Sequence, residues 1–213
     1  MKVRDFMNPD PITVDIKTPI MHALAIMKEK RIKRLPVMKK DKFTGIVTRS
    51  MIRDASPSEA TSLSVWELNY LISKMKVGDI MVKEPVTIPP DMPVEEAIWL
   101  GKEKGIGAFP VLEGGKLVGI ITESDISGQV SKALGLGEKE STRITIEPSG
   151  KKFGFLKDIV ETLDKRNIMI LSLMSVFKPD QRDWVLIIRV KTEEAQKALE
   201  DLKQKGFKIG DIS

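Results

Sequence analysis

Two series of hydrophobic segments follow the same order along the first part of the chain. Each begins with a short β-branched stretch bounded by prolines, continues with apolar residues at helical spacing, and ends with two apolar stretches around a polar turn. A further helix is predicted after each series. The pattern therefore predicts two β-α-β-β-α units. Their segments are 12–14, 20–27, 35–38 and 43–48 in the first unit, and 86–88, 94–101, 109–112 and 117–122 in the second.

A constant offset of 74 residues relates the two units, as between residues 5 and 79. The matching pairs include Asp5 with Asp79, Met7 with Met81, Pro36 with Pro110, Gly45 with Gly119, and Thr48 with Thr122. Since prolines and glycines constrain or free the backbone, the two copies are expected to share one backbone conformation. A unit of roughly 50 residues buries little apolar surface, so we expect the copies to pack together around a quasi-symmetric cleft.

The segment between the copies is predicted to be a connecting helix. This places the first repeat at residues 1–54, the helix at 55–76 and the second repeat at 77–134. The Ser-Pro-Ser-Glu sequence at 56–59 is typical of a helix start. Apolar residues then recur at helical spacing beside an aromatic stripe, namely Val65, Leu68, Leu71, Ile72 and Met75 with Trp66 and Tyr70. Such a stripe more often packs in a core or a dimer contact than binds a ligand.

The last third of the chain, residues 141–213, has a different order of elements and follows a glycine-containing linker at 135–141. Alternating apolar residues predict strands, and periodicities near 3.6 residues predict two helices. The predicted strands are 142–147, 168–177, 184–190 and 207–209, and the predicted helices are 156–163 and 192–202. The order β-α-β-β-α-β is that of a ferredoxin-like sandwich, so the chain as a whole is predicted to be an α+β protein.

Composition narrows the class of protein. Hydrophobic residues make up 41% of the chain and charged residues 31%, which is typical of a soluble globular protein. Because there is no cysteine, the chain has neither a disulfide framework nor a thiolate metal site. The first residues lack an apolar signal core, and no apolar run approaches the roughly 20 residues that span a bilayer. We therefore expect a cytoplasmic protein with no membrane partner.

The net charge is +5, and residues 28–42 contain eight cationic and only two acidic side chains. A solvated helix end is the favoured explanation, because cations are stabilised near a helix C-terminus. The alternatives are a site for a phosphate-bearing ligand and a site for nucleic acid. Of these two partners, nucleic acid is the less favoured.

The repeated motifs resemble those of cystathionine-β-synthase (CBS) domains arranged as a tandem pair. They are Asp-Phe-Met and Asp-Ile-Met at the starts, Leu-Pro-Val and Phe-Pro-Val in the middle, and Gly-Ile-Val-Thr and Gly-Ile-Ile-Thr before the last helix. The shared order and offset make the resemblance specific over about residues 1–130. The family implies a sensor without catalysis, in which an adenosine-containing ligand binds between the repeats.

The resemblance also implies which residues bind the ligand. In the family, the Thr and Asp of a Gly-x-x-Thr-x-x-Asp run hold the ribose hydroxyls, and here these are Thr122 and Asp125. A carboxylate suits a ribose because it accepts hydrogen bonds from two vicinal hydroxyls. The implied effectors are AMP, ADP, ATP or S-adenosylmethionine. The base would be flanked by the strand at 86–88, with Thr87 and Ile88, and by the turn at 107–110, with Ala108, Phe109 and Pro110 after Gly107.

The first repeat departs from this pattern. It keeps Thr48, but Met51 stands where the aspartate belongs. One nucleotide per chain is therefore expected rather than two. The first repeat is instead expected to supply cations to a phosphate. We predict Lys33, Arg34 and Arg49 for this role, since arginine binds phosphate oxygens bidentately.

A structural role for Thr122 and Asp125 has nearly equal weight. A Thr-x-x-Asp sequence at a helix start is close to a capping box, in which each side chain accepts a hydrogen bond from a backbone N–H. That role needs no ligand. The two roles are partly compatible.

Residues 141–213 resemble an ACT domain, a small-molecule regulatory module that usually works as a dimer. The resemblance implies an effector site at Gly154, Phe155 and Leu156, at the start of the first helix. A dimer contact is the alternative, because Phe153 stands where the family often has proline. A CBS pair followed by an ACT domain is the layout of the acetoin-utilisation AcuB-type proteins, which the whole chain resembles.

No residue pattern indicates catalysis. His22 is the only histidine and lies in a helical pattern, and no Walker or Gly-x-Gly-x-x-Gly loop occurs. We therefore predict a regulator that is not an enzyme, forms a homodimer, binds a nucleotide and acts on a partner protein that the sequence does not identify. The alternatives are a nucleic-acid binder that uses residues 28–42, and an interaction module whose clefts are filled by side chains.

Overall fold

The two sequence repeats form corresponding elements, as the constant offset predicts. The computed structural model describes residues 1–55, 64–137, 140–147, 154–178 and 183–213. Both repeats belong to one compact unit, Met1–Ile126, and a second unit comprises Ser127–Ser213. In chain order the first unit contains a 3₁₀ turn (Val3–Asp5), β1 (Val14–Asp15), α1 (Ile20–Glu29), β2 (Arg34–Lys39), β3 (Lys42–Thr48), α2 (Arg49–Ala55), α3 (Val65–Lys74), α4 (Val77–Ile80), β4 (Val82–Lys83), α5 (Val94–Lys104), β5 (Ala108–Glu113), β6 (Lys116–Thr122) and the start of α6 (Glu123–Ala133).

Each repeat is built on an antiparallel hairpin, and the two hairpins have the same register. Pro36 pairs with Ile46 in repeat one, and Pro110 pairs with Ile120 in repeat two. A parallel strand flanks each hairpin, but it is shorter than predicted. In repeat one it is the two-residue β1, and in repeat two it is a single bridge from Ile88 to β5. Two prolines follow Ile88, and they cannot extend the ladder because they lack an N–H donor.

The opening residues of each repeat pack against the other repeat. Val3 and Val77, which begin the two copies, are fully buried. Val77 belongs to the core of repeat one, and its N–H donates to the carbonyl of Thr18 at 2.8 Å. Likewise, the Val3 N–H donates to the carbonyl of Met92 at 2.9 Å. The two packed halves of this unit therefore do not coincide with the two sequence repeats, because each half contains the opening segment of the other repeat.

This exchange explains why both hairpins keep a glycine. A β-carbon at Gly45 would lie 2.5 Å from the carbonyl oxygen of Val82, on the neighbouring strand β4. At the matching Gly119, a β-carbon would lie 2.6 Å from the sulfur of Met7 and 2.9 Å from the carbonyl oxygen of Asn8. Real β-carbons do not approach other atoms this closely, so only glycine allows the opening segments to cross the hairpins.

The Asp-x-Met motif that opens each repeat has a structural explanation as well. Asp5 Oδ2 accepts a hydrogen bond from the Lys2 N–H, and Asp79 Oδ2 accepts one from the Lys76 N–H, both at 2.8 Å. Each aspartate thus closes the opening turn. The methionine two residues later covers the hairpin glycine of the opposite repeat.

The connecting helix α3 has Ser64 as its N-cap. The Ser64 Oγ accepts from the Glu67 N–H at 3.3 Å, and Glu67 Oε2 accepts from the Ser64 N–H at 2.8 Å. Hydrogen bonds from the hydroxyl and the N–H of Ser64 lower the pKa of Glu67. Ile72 and Met75 pack against the core of repeat one, so this part of the predicted stripe is core. Outside the described residues lie the predicted helix start, 56–59, and the side chains of Val65, Trp66 and Leu68.

The second unit has the predicted β-α-β-β-α-β order. Its strands form one sheet in the order β10-β7-β9-β8, and all neighbours are antiparallel. Side chains of both helices and of the sheet share one buried core, which includes Leu163, Ala198, Ile144 and Ile188. After α6 the elements are β7 (Ser141–Glu147), α7 (Phe155–Asp164), β8 (Ser172–Lys178), β9 (Asp183–Lys191), α8 (Thr192–Gln204) and β10 (Lys208–Ile212).

The predicted linker at 135–141 begins as a turn after α6. Gly135 and Gly137 have φ angles of 72° and 106°, in the left-handed region that favours glycine. Residues 138–139 of the linker and residues 179–182 of the predicted β8–β9 turn lie outside the described residues.

Within the described parts of the chain, no helix is long and apolar enough to cross a membrane. The same parts contain no group of histidine, aspartate and glutamate side chains that could hold a metal ion.

Candidate functional site

A cavity of about 430 Å³, here called the inter-repeat cavity, opens between the two repeats of the first unit. The exchange of opening segments forms it. Asn8 pairs with Ile120 of the opposite hairpin, and the chain that follows brings Pro11 to the cavity wall near the start of α6. Both repeats contribute to the wall. It includes Pro11, Ile12, Lys33 and Arg34 of repeat one, and Gly107, Thr122 and Asp125 of repeat two.

Thr122 and Asp125 lie together on this wall, where β6 ends and α6 begins. Asp125 Oδ2 accepts hydrogen bonds from the Thr122 N–H at 2.9 Å and from the Thr122 hydroxyl at 2.7 Å. The Asp125 N–H donates to Thr122 Oγ1 at 3.3 Å. These bonds form the capping box that was the structural alternative. Asp125 Oδ1 takes no part in them, so capping and ribose binding are geometrically compatible.

The matching position in repeat one has the threonine without the carboxylate. Thr48 Oγ1 accepts from the Met51 N–H at 3.2 Å and lies 2.8 Å from the hydroxyl of Ser50. The thioether of Met51 is a weak acceptor and carries no charge. Half of the capping box is therefore missing, and the pair of acceptors that would suit a ribose is missing with it.

Of the segments predicted to flank a base, the turn at 107–110 reaches the inter-repeat cavity through Gly107, but Thr87, Ile88, Ala108, Phe109 and Pro110 do not line it. Ile88, Ala108 and Phe109 are at most 6% exposed, and Pro110 is also buried. Their side chains pack within repeat two because they belong to, or pair with, the hairpin strand β5. Thr87 is exposed, but it too is absent from the wall.

The opening segment of repeat one also contributes to the cavity wall, through Pro11 and Ile12, and the residues that would flank a base stay a prediction. Pro11 is half-buried and Ile12 is 37% exposed. The repeat pattern did not identify Pro11 and Ile12. It is equally consistent with an opening segment that packs on its own hairpin and with one that packs on the hairpin of the other repeat. The paired Gly45 and Gly119 were the available signal, since a glycine inside an apolar strand indicates a close backbone crossing.

Two of the three predicted cations lie on the inter-repeat cavity, namely Lys33 and Arg34. Arg34 Nη2 lies 2.8 Å from where a β-carbon of Gly107 would be, so the end of this arginine reaches the backbone of repeat two. Arg49 does not line this cavity. It lines a second cavity of about 590 Å³ in repeat one, to which Lys33 and Arg34 also contribute.

In the second unit, the predicted effector residues form the start of α7. Gly154 has a φ angle of 79° and is the N-cap. Phe155 packs edge-on against Phe207, with ring centroids 6.1 Å apart, whereas Leu156 is 46% exposed. Phe155 is thus a packing residue. The effector site stays a prediction, and Phe153 lies outside the described residues.

A family model described as "CBS domain" matches the chain twice, at residues 3–58 and 77–132. The chain belongs to the CBS domain family. The two matches coincide with the two repeats, so the exchanged opening segments, the paired hairpins and the inter-repeat cavity are features of a CBS pair.

Two curated relatives show how far the similarity extends. The inosine-5′-monophosphate dehydrogenase of Thermoplasma acidophilum is 26% identical over 216 residues, which cover 94% of this chain and 40% of the enzyme. A CBS domain-containing protein of Dictyostelium discoideum is 32% identical over 134 residues, which cover 62% of this chain and 92% of that protein. The chain thus spans less than half of the dehydrogenase.

Two solved structures share the fold. CBSX2 in complex with AMP is 29% identical with a TM-score of 0.52, and the match covers 62% of this chain and 97% of CBSX2. A putative acetoin utilization protein (AcuB) from Vibrio cholerae is 25% identical with a TM-score of 0.54, covering 65% of this chain and 96% of that protein. The predicted CBS pair and its likeness to AcuB are confirmed. The ACT assignment stays a prediction.

Proposed function

We propose that this CBS-pair protein is a regulator that binds an adenine nucleotide, or another adenosine-containing ligand, in the inter-repeat cavity and has no catalysis of its own. One observation supports this most: Thr122 and Asp125 share one cavity with Lys33 and Arg34. Ribose hydroxyls require an acceptor such as a carboxylate, and phosphates require cations. A volume of about 430 Å³ suits a small molecule.

The rest of the wall fits a nucleoside. Pro11, Ile12 and Pro36 offer apolar surface to a base, and Gly107 allows close approach of the backbone. The AMP complex of the similar CBSX2 supports an adenine nucleotide. AMP, ADP, ATP and S-adenosylmethionine are the candidates.

The substitution Asp125→Asn tests this function, because it keeps the shape of the side chain and removes its charge and one acceptor. We expect each true ligand to raise the Tm of the wild-type protein, since binding to the folded state contributes about 2.7 kcal/mol at a hundred times Kd. We expect Asp125→Asn to lose most of that rise. The measurement is a thermal-shift series with the four candidate ligands.

Asp79→Asn is the matched control. Asp79 caps the opening turn of repeat two and does not line the cavity, so its substitution removes a cap without changing the site. The ligand-dependent rise in Tm should survive in this variant. If none of the four ligands stabilises the wild-type protein at millimolar concentration, the proposal is wrong and Asp125 is only a cap.

The proposal also states that the regulator forms a homodimer and acts on a partner protein that is not identified. Exposed apolar side chains support both, among them Trp99 and Ile98 on α5, which are 67% and 46% exposed. For the second unit, the βαββαβ order and the left-handed Gly154 support an ACT-like role. The connection to acetoin utilisation rests on the similarity to the Vibrio cholerae protein.

A further inference from the structure

The second cavity, here called the basic cavity, has a chemistry that ribose and base binding do not explain. It lies in repeat one and has a volume of about 590 Å³. Its wall contains five cations and no carboxylate. The cations are Lys28, Lys33, Arg34, Arg49 and Arg53.

Four of these cations have no ion-pair partner in the described parts of the chain. Arg53 is paired, with its Nε 3.2 Å from Asp54 Oδ1. None of the other ion pairs among the described residues involves Lys28, Lys33, Arg34 or Arg49. Like charges around one cavity repel each other, and a bound polyanion would relieve that repulsion.

The CBS fold does not require these cations, as repeat two shows. At the constant offset, the corresponding residues are Lys102, Gly107, Ala108, Glu123 and Ser127, which comprise one cation and one anion. The backbone is nonetheless the same at this point. The Arg49 N–H donates to the carbonyl of Lys33 at 2.9 Å, and the Glu123 N–H donates to the carbonyl of Gly107 at 3.2 Å.

A solvated helix end does not explain the cluster either. It accounts for Lys28, which lies in the last turn of α1, where a cation is favoured. It does not account for Arg49, the first residue of α2, because the helix dipole disfavours a cation there. The concentration of charge therefore indicates a ligand.

The basic cavity adjoins the inter-repeat cavity, because Lys33 and Arg34 line both. We propose that the basic cavity binds the β- and γ-phosphates of a nucleoside 5′-triphosphate whose ribose is held by Thr122 and Asp125. Lys33 and Arg34, at the junction, bind the α-phosphate. This inference rests on the proposed nucleotide site and adds to it the class of ligand, a triphosphate in preference to a monophosphate.

Isothermal titration calorimetry of the full chain with AMP, ADP, ATP and inorganic triphosphate tests this. We expect wild-type affinity to rise from AMP through ADP to ATP, by about tenfold or more overall, because charge-assisted hydrogen bonds to phosphate are strong. The double variant Lys28→Gln/Arg53→Gln should lose about tenfold in ATP affinity. Its AMP affinity should stay within about twofold, since neither residue lines the inter-repeat cavity.

The matched control is Lys102→Gln/Lys42→Gln. It also removes two positive charges, but from positions outside both cavities. Lys102 is the counterpart of Lys28 in repeat two. Its ATP affinity should match the wild type. The exposed positions of all four residues make it straightforward to check by unliganded Tm that both variants fold.

Three results would overturn the inference in distinguishable ways. Equal affinities of the wild type for AMP and ATP, or equal losses of both in Lys28→Gln/Arg53→Gln, would exclude a terminal-phosphate site. Binding of inorganic triphosphate without any nucleotide binding would mean that the proposed nucleotide function fails and that the basic cavity is a separate oligophosphate site. Salt-dependent retention of DNA or RNA that both double variants weaken would assign the cations to nucleic acid.

Discussion

In repeat one, Thr48 is followed by Met51 and lies beside a cavity lined with cations; in repeat two, Thr122 is followed by Asp125 in an acidic first turn. The hairpins of the two repeats nevertheless pair in the same register. Among the positions that differ are several charged ones on the cavity walls, such as Arg49 and its counterpart Glu123. The two copies therefore share a backbone and differ in chemistry, with cations from repeat one and the carboxylates of Glu123 and Asp125 from repeat two meeting at the inter-repeat cavity.

The exchange of opening segments explains how this division can persist. Each half is completed by residues of the other copy, such as Val3 and Val77, so neither half can be lost without exposing the core of its neighbour. The charged side chains on the cavity walls are exposed or half-buried and are under no such packing constraint. They are free to differ between the copies.

The largest expected effect on stability comes from disrupting the close crossing of an opening segment over a hairpin, which both repeats share. Gly45→Ala would place a β-carbon 2.5 Å from a backbone oxygen, which cannot move as a side-chain end can. We expect it to lower the free energy of unfolding by about 3 kcal/mol, because overpacking forces the backbone to shift. Gly119→Ala should cost less, since its nearest contact is the flexible end of Met7 and its nearest backbone oxygen, that of Asn8, lies farther away, at 2.9 Å. Urea denaturation followed by circular dichroism measures both.

Gly128→Ala is the control for these substitutions. Gly128 lies within α6, and a β-carbon there would meet nothing within 4 Å. The change should leave stability unaltered or raise it by up to about 1 kcal/mol, because alanine favours the helix. If Gly45→Ala behaves like Gly128→Ala, the opening segments do not cross the hairpins as closely as the structure has them.

Much of what the repeats share was predictable from sequence, because it is encoded locally. Prolines and glycines at a constant offset fix the hairpins wherever these lie in space. Thr122 and Asp125 were also predictable as a pair, since they lie three residues apart at one helix start. In the second unit, the alternation of β7, the apolar run of β9 and the periodicities of α7 and α8 predicted the observed order of elements.

The partners of short segments were not predictable. A short segment carries a pattern for its own conformation but none for the hairpin that it joins, so the sequence did not show that Pro11 and Ile12 line the inter-repeat cavity. The basic cavity was predictable only in part. Lys33, Arg34 and Arg49 were singled out from sequence as cations for a phosphate, but Arg53 joins them only through the packing of α2.

A smaller effect is expected from making repeat one more like repeat two. Met51→Asp supplies the missing half of the capping box, with a carboxylate that can accept from the Thr48 N–H. We expect it to raise the free energy of unfolding by about 0.5–1 kcal/mol, through capping and through the favourable charge near the start of α2. The comparison is with Met51→Leu, which adds no acceptor. Equal urea midpoints for the two variants would contradict a capping role for this position.

The smallest effect concerns a contact that only one repeat has. Asp91 Oδ1 accepts hydrogen bonds from Lys2 Nζ at 2.9 Å and from Arg4 Nε at 3.0 Å, whereas the matching residue in repeat one is Lys17. Hydrogen bonds from Lys2 and Arg4, and their positive charges, lower the pKa of Asp91 below its ordinary 3.8. The folded state thus favours the ionised form. Its contribution to stability is present above pH 3.8 and is lost as the pH falls through the lowered pKa.

Asp91→Asn should therefore be slightly less stable than the wild type at about pH 6, and the difference should shrink as the pH falls below 3.8. The effect is small because the Asp91 side chain is 59% exposed and water screens the pair. Asp41→Asn, at a hairpin turn with no ion pair among the described residues, changes the same charge and should show no such difference. If Asp91→Asn is less stable than the wild type by the same amount across this pH range, then the charge of Asp91 does not hold the opening segment of repeat one on repeat two.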